Sequence, residues 1–129
     1  MYRKIVSVSL LLTAIAMLLS GCGQKTADVT VTLQDFTIEA LPASAPANTP
    51  IRFTVTNNGT VTHEVVLQLK GSNDEPLEAD GKESEVEDVE PGQTKTFEWT
   101  VTEAGDYQLA CYEPEHFEKG MFTDFTVTK

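Results

Sequence analysis

The chain has 129 residues, with 20 acidic side chains against 9 basic ones and a formal charge of −11. That length suits one domain with its own core and excludes two of ordinary size. A surface this acidic repels phosphate backbones and anionic headgroups, so nucleic-acid binding is excluded and basic protein partners are favoured.

The N-terminal stretch does not read as part of a fold. Arg3 and Lys4 give a short basic start, and the apolar run from Ile5 to Leu19 is too short and too interrupted by Ser and Thr to span a bilayer alone. It ends in Leu19-Ser20-Gly21-Cys22, which resembles the lipobox of bacterial lipoproteins, where small residues precede the cut and the Cys thiol takes diacylglycerol. The resemblance implies a signal peptide over 1–21, a lipidated Cys22, a tether over 22–27 and a folded domain over 28–129. It also implies a membrane-anchored, extracytoplasmic address on the periplasmic or cell-surface side. An ordinary secretory signal or an uncleaved anchor is the alternative. Loss of Arg3 and Lys4 deepens the charge to about −13. Cys111 is then the one thiol left in an oxidising compartment, so it is either buried and inert or holds a metal.

Beyond the tether the chain alternates apolar and polar residues. Val29, Val31 and Leu33 predict a first strand, with Phe36 and Ile38 continuing it after a bulge. Residues 40–50 hold Pro42, Pro46 and Pro50 and predict irregular or edge structure. Ile51, Phe53 and Val55 alternate again, Asn57-Asn58-Gly59 signals a turn, and His63, Val65, Leu67 and Leu69 follow in step. From Asp74 to Glu90 nine acidic residues face only Lys82, which predicts an exposed loop with at most one helical turn, closed by Pro91-Gly92. Phe97, Trp99 and Val101 resume the alternation, Tyr107, Leu109 and Cys111 continue it, and Phe125 and Val127 mark a last strand. Six to eight short strands in about 100 residues predict an all-β sandwich.

Past Cys22 the chain contains one Cys, two His and one Met, and three of these four fall in one stretch: Cys111-Tyr-Glu-Pro-Glu-His116-Phe-Glu-Lys-Gly-Met121. Singly, His63 reads as a core histidine, Cys111 as an inert thiol and Met121 as a core filler. Together they form a soft donor set. Two imidazoles and a thiolate in a trigonal arrangement, with a distant thioether, suit one electron-transfer copper ion. Structural zinc lacks a second thiol, and a binuclear copper centre lacks a second Cys in the loop. With both His assigned, no base is left for a nucleophile, so the chain does not read as an enzyme.

At these residues the chain resembles the cupredoxins, the plastocyanin, auracyanin and halocyanin class of blue-copper proteins. The likeness covers residues 28–129. It includes Thr49-Pro-Ile-Arg-Phe-Thr-Val-Thr-Asn-Asn-Gly59 before His63-Glu64, the Pro91-Gly92 turn, Ala104-Gly-Asp-Tyr107 leading to Cys111, and Gly120-Met121. It implies a Greek-key sandwich, His63, Cys111 and His116 as equatorial ligands, Met121 as the axial one, and one copper ion cycling between Cu(I) and Cu(II). It further implies a monomeric one-electron carrier that serves redox partners such as a c-type cytochrome or a membrane oxidase, with electrons passing through His116. Copper storage, delivery or resistance without electron traffic is the alternative, and a receptor-binding module that holds copper poorly is a third. Glu115 stands where the family often has Gly, and Glu64 where it often has Asn. Both carboxylates are expected to lower the reduction potential by favouring Cu(II).

Overall fold

The structure, a computed structural model, describes residues 23–129, so the signal peptide and Cys22 lie outside the described residues. The alternating segments become strands because their apolar side chains fall on one face. In chain order these are β1 (Ala27–Gln34), β2 (Thr37–Leu41), β3 (Ser44–Pro46), β4 (Pro50–Asn57), β5 (His63–Leu69), β6 (Glu78–Ala79), β7 (Lys82–Glu83), β8 (Glu85–Val89), β9 (Thr94–Thr100), β10 (Gly105–Ala110) and β11 (Phe122–Thr128). Eight of the eleven are five residues or longer, within the six to eight expected. The fold is an all-β sandwich of two sheets. One sheet runs β2-β1-β4-β9 and the other β3-β11-β10-β5-β8, with β6 and β7 a small separate hairpin. No helix among the described residues is long and apolar enough to cross a membrane.

The core lies between the two sheets. Val29, Val31 and Leu33 of β1, Ile51, Phe53 and Val55 of β4, and Leu67, Leu109, Phe125 and Val127 of the facing sheet are all buried. Phe53 stacks on its cross-strand neighbour Phe97 within the first sheet at 4.7 Å and joins the second sheet by tilting against Phe125 at 5.5 Å, aromatic contacts each worth about 0.5–1.5 kcal/mol beyond area burial.

Two local expectations are corrected. Asp35 and Phe36 form the turn of an antiparallel hairpin in which Gln34 pairs with Thr37, so no bulge continues β1. The acidic stretch is not one exposed loop, and no helical turn occurs in it. Its residues form β6, β7 and β8, and β8 closes the edge of the second sheet with Val89 and the preceding Ser84 fully buried. Ser84 Oγ donates to the Leu67 carbonyl at 2.6 Å and accepts from the Leu77 amide at 2.8 Å, which pins the segment against β5.

Packing acidic residues along this edge has a pH consequence. Burial first, then the hydrogen bond and charge of Glu83, with Glu87 and Glu64 beyond, push the Glu85 carboxyl from an ordinary 4.5 up to about 7. Between those values the folded chain holds a proton that the unfolded chain has shed. The stabilisation is therefore full below pH 4.5 and is lost as the pH rises through about 7. In denaturant titrations, Glu85→Gln should abolish that part of the decline and gain most over wild type at pH 8. Equal pH profiles for the two proteins would refute it.

Candidate metal centre

His63 is delivered by a buried asparagine. Asn57, the last residue of β4, donates from Nδ2 to the Val61 and Val89 carbonyls, each at 2.8 Å, and accepts from the Gly59 amide at 2.8 Å. These bonds fix the turn over 58–62, and His63 follows as the first residue of β5. Cys111 arrives from the other direction. β10 pairs antiparallel with β5 as far as Ala110 opposite Val66, and Cys111 is one residue beyond. A bulge in β8 sets Glu87 and Asp88 against Glu64 alone, between the His63–Val89 and Val65–Val86 pairs, with Asp88 in the left-handed region at φ 51°. The Glu64 amide lies 3.5 Å from Cys111 Sγ, and its carboxylate accepts from the Tyr112 amide at 2.8 Å.

The loop after Cys111 is closed by its own backbone. The Cys111 amide donates to the Met121 carbonyl and the Met121 amide to the His116 carbonyl, both at 3.1 Å, and His116 donates to Glu113 at 2.9 Å. Glu115 occupies φ 68°. An L side chain in that region costs roughly 1–2 kcal/mol, a physical reason for the Gly that the resemblance implies at this position.

Three donor atoms converge. His63 Nδ1 lies 3.2 Å from His116 Nδ1 and 4.0 Å from Cys111 Sγ, and His116 Nδ1 lies 3.4 Å from the sulfur. All three residues are buried, and they are the group of potential metal ligands found among the described residues. Met121 is fully buried at the end of the same loop. Metal bonds to imidazole and thiolate of roughly 2.0–2.3 Å, as for zinc, place three trigonal donors on the order of 3.5 Å apart. The triangle matches that requirement. Of the four predicted ligands, three are brought together at ligand spacing and the fourth, Met121, is buried at the end of the loop that carries Cys111 and His116.

The electrostatics of the protein alone disfavour charge at this point. Burial pushes the Cys111 thiol up to about 11, and burial with the neighbouring His63 lowers the His116 pKa. A bound cation reverses this balance, because a coordinated thiol is held as thiolate and its proton is released.

One carboxylate at the centre escaped the sequence reading. Asp35 Oδ1 accepts from His63 Nε2 at 2.8 Å. Hydrogen bonds from the Thr60 hydroxyl and amide, and then from His63, hold its pKa down at about 2. Only the Asn57-Asn58-Gly59 turn signal before His63 hinted that a close approach was needed there.

A profile of the cupredoxin-like domain matches residues 7–123. The chain belongs to this family. Its His2CysMet centre is that of a single type 1 copper ion. A relative, the copper-resistant cuproprotein CopI of Rubrivivax gelatinosus, is 32% identical over 82 residues, covering 55% of this chain and 47% of that protein. The chain therefore spans about half the length of the curated relative it matches. Among solved structures, reduced auracyanin from Roseiflexus castenholzii is 20% identical with a TM-score of 0.63, over 81% of this cupredoxin and 97% of that chain. Rusticyanin from Thiobacillus ferrooxidans is 21% identical with a TM-score of 0.61, over 82% and 79%. These likenesses share the fold.

Met121→Leu conserves volume and should change stability by less than about 1.5 kcal/mol. The copper-loaded variant should keep its visible charge-transfer band while its reduction potential rises. Complete loss of colour in spectroelectrochemistry would show that Met121 is not the weak fourth donor that the sequence predicts.

Proposed function

We propose that this cupredoxin is a one-electron carrier, anchored through a lipid on Cys22 at the outer face of a membrane. The observation that carries the reading is the buried donor triangle of 3.2, 3.4 and 4.0 Å, already at ligand spacing in the protein alone. Copper held there supplies a one-electron couple between Cu(II) and Cu(I). The chain's part is to keep the ligands still. His63 is held by the Asn57 turn, Cys111 by the β5–β10 pairing, and His116 by the closed loop, so little reorganisation accompanies a change of charge. His63 and Cys111 are fully buried, in keeping with a carrier rather than an enzyme.

His116 is the least buried of the three ligands, at 9% exposed against 0% for the other two, which supports electron passage through its edge. The acidic edge supports a basic partner such as a c-type cytochrome. β8 ends at Val89 opposite His63, and Glu90 accepts from the Thr62 hydroxyl at 3.0 Å, so the acidic run reaches the copper end. Its charges would steer encounter rather than tighten the complex.

Copper resistance is the second reading, favoured by the likeness to the 32% identical copper-resistant cuproprotein CopI. The single Met past Cys22 argues against it, since copper-handling proteins commonly cluster Met or His.

Copper-loaded protein should absorb intensely toward the red end of the visible spectrum, bleach on reduction and recover on oxidation over many cycles. Binding only as Cu(I), or ready release to a chelator, would decide for handling. No copper binding at all would decide for an interaction module.

For the partner, Glu→Gln exchange at 83, 85, 87 and 90 should leave the spectrum intact and slow electron exchange with a basic cytochrome by at least about tenfold at low ionic strength. An unchanged rate with unchanged salt dependence in stopped-flow would sink the docking face.

A further inference from the structure

The turn between β1 and β2 reaches the metal centre although neither strand carries a ligand. Asp35 accepts from His63 Nε2, the ring nitrogen that faces away from the donor triangle, while Nδ1 faces into it. The carboxylate is itself fixed from a second loop: Thr60 donates to Oδ2 from its amide at 2.9 Å and from its hydroxyl at 2.6 Å. Gly59 leaves the room for this. A Cβ at that position would overlap Asp35 Oδ1 and stand 3.0 Å from His63 Nε2. The next residue of the turn, Phe36, sets its ring edge-on to His116 at 4.9 Å, so the two turn residues between them contact both histidines.

A neutral imidazole carries one N–H. If His63 placed it on Nδ1, it could donate to His116 Nδ1 at 3.2 Å, and the triangle would satisfy itself by hydrogen bonding with no lone pair left for a metal. A carboxylate on Nε2 prevents that outcome. It also raises the electron density of the ring, which favours the more highly charged ion.

We propose that Asp35 is the positioning residue of the copper centre: it locks His63 in the Nε2–H tautomer, aims the Nδ1 lone pair at the metal and lowers the reduction potential, and Gly59 reserves its space. The proposal rests on the reading of His63 as a copper ligand.

The test compares wild type with Asp35→Asn, which keeps an acceptor oxygen but no charge, Asp35→Ala, which keeps neither, and Gly59→Ala. In the metal-free proteins, nitrogen-15 NMR of the His63 ring should report the Nε2–H tautomer in wild type and D35N, and a mixture in D35A and G59A. Chelator competition should show copper(II) affinity down by about 10- to 100-fold in D35A and largely retained in D35N. The potential should rise in both. An unchanged tautomer in D35A together with wild-type affinity would overturn the assignment, and an unchanged potential in D35N would overturn it even if D35A failed to fold. Absence of copper binding by wild type would instead remove the copper reading, while the metal-free tautomers would still decide what Asp35 does.

Discussion

The register of β10 on β5 is the constraint on which the rest of the molecule depends. Ala110 opposite Val66 and Leu109 opposite Leu67 set where β10 ends, and so set Cys111 beside the start of β5. A slip of one residue would exchange the faces of every side chain along the strand, turning Leu109 outward and carrying the sulfur away from His63. The core residues that enforce this pairing, among them Leu67, Leu109, Phe53 and Phe125, therefore also determine where the ligands stand. Fold stability and ligand placement are here one property.

The chain also concentrates groups that would be unfavourable elsewhere. Two imidazoles and a thiol share a buried point, Glu115 adopts a left-handed backbone, and β8 lines up carboxylates along a sheet edge. A positive ion offsets the first. The second is local to the loop that wraps the ion. The third forms no salt bridge among the described residues, and the Lys95 ammonium donates to the Glu87 carbonyl at 3.0 Å.

Much of this could be read from residues alone, for physical reasons that differ from element to element. Strands β1, β4, β5, β9, β10 and β11 announce themselves because one face is apolar and the other polar. The ligand set was legible because His, Cys and Met are scarce past Cys22 and three of them share an eleven-residue stretch. β8 was hidden: its exposed carboxylates dominate the pattern, and only Ser84, Val86 and Val89 carry the sheet contact. The hairpin turn at Asp35-Phe36 was hidden because apolar content continues on both sides of it. Asp35 itself was illegible for a deeper reason. In a chain with 20 acidic residues no single carboxylate stands out, and its closeness to His63 exists only after the β1–β2 turn folds over the loop from Asn57.

The direction of β1 has a spatial consequence. The strand runs from Ala27 to Gln34, and Asp35, at its far end, meets His63. Eight residues of extended chain span roughly 26 Å. The polypeptide thus enters the sandwich at the pole opposite the ligands. Were that entry point held to a lipid surface, His116 would be turned toward the aqueous side, standing off from the bilayer by about the height of the domain and open to diffusing proteins.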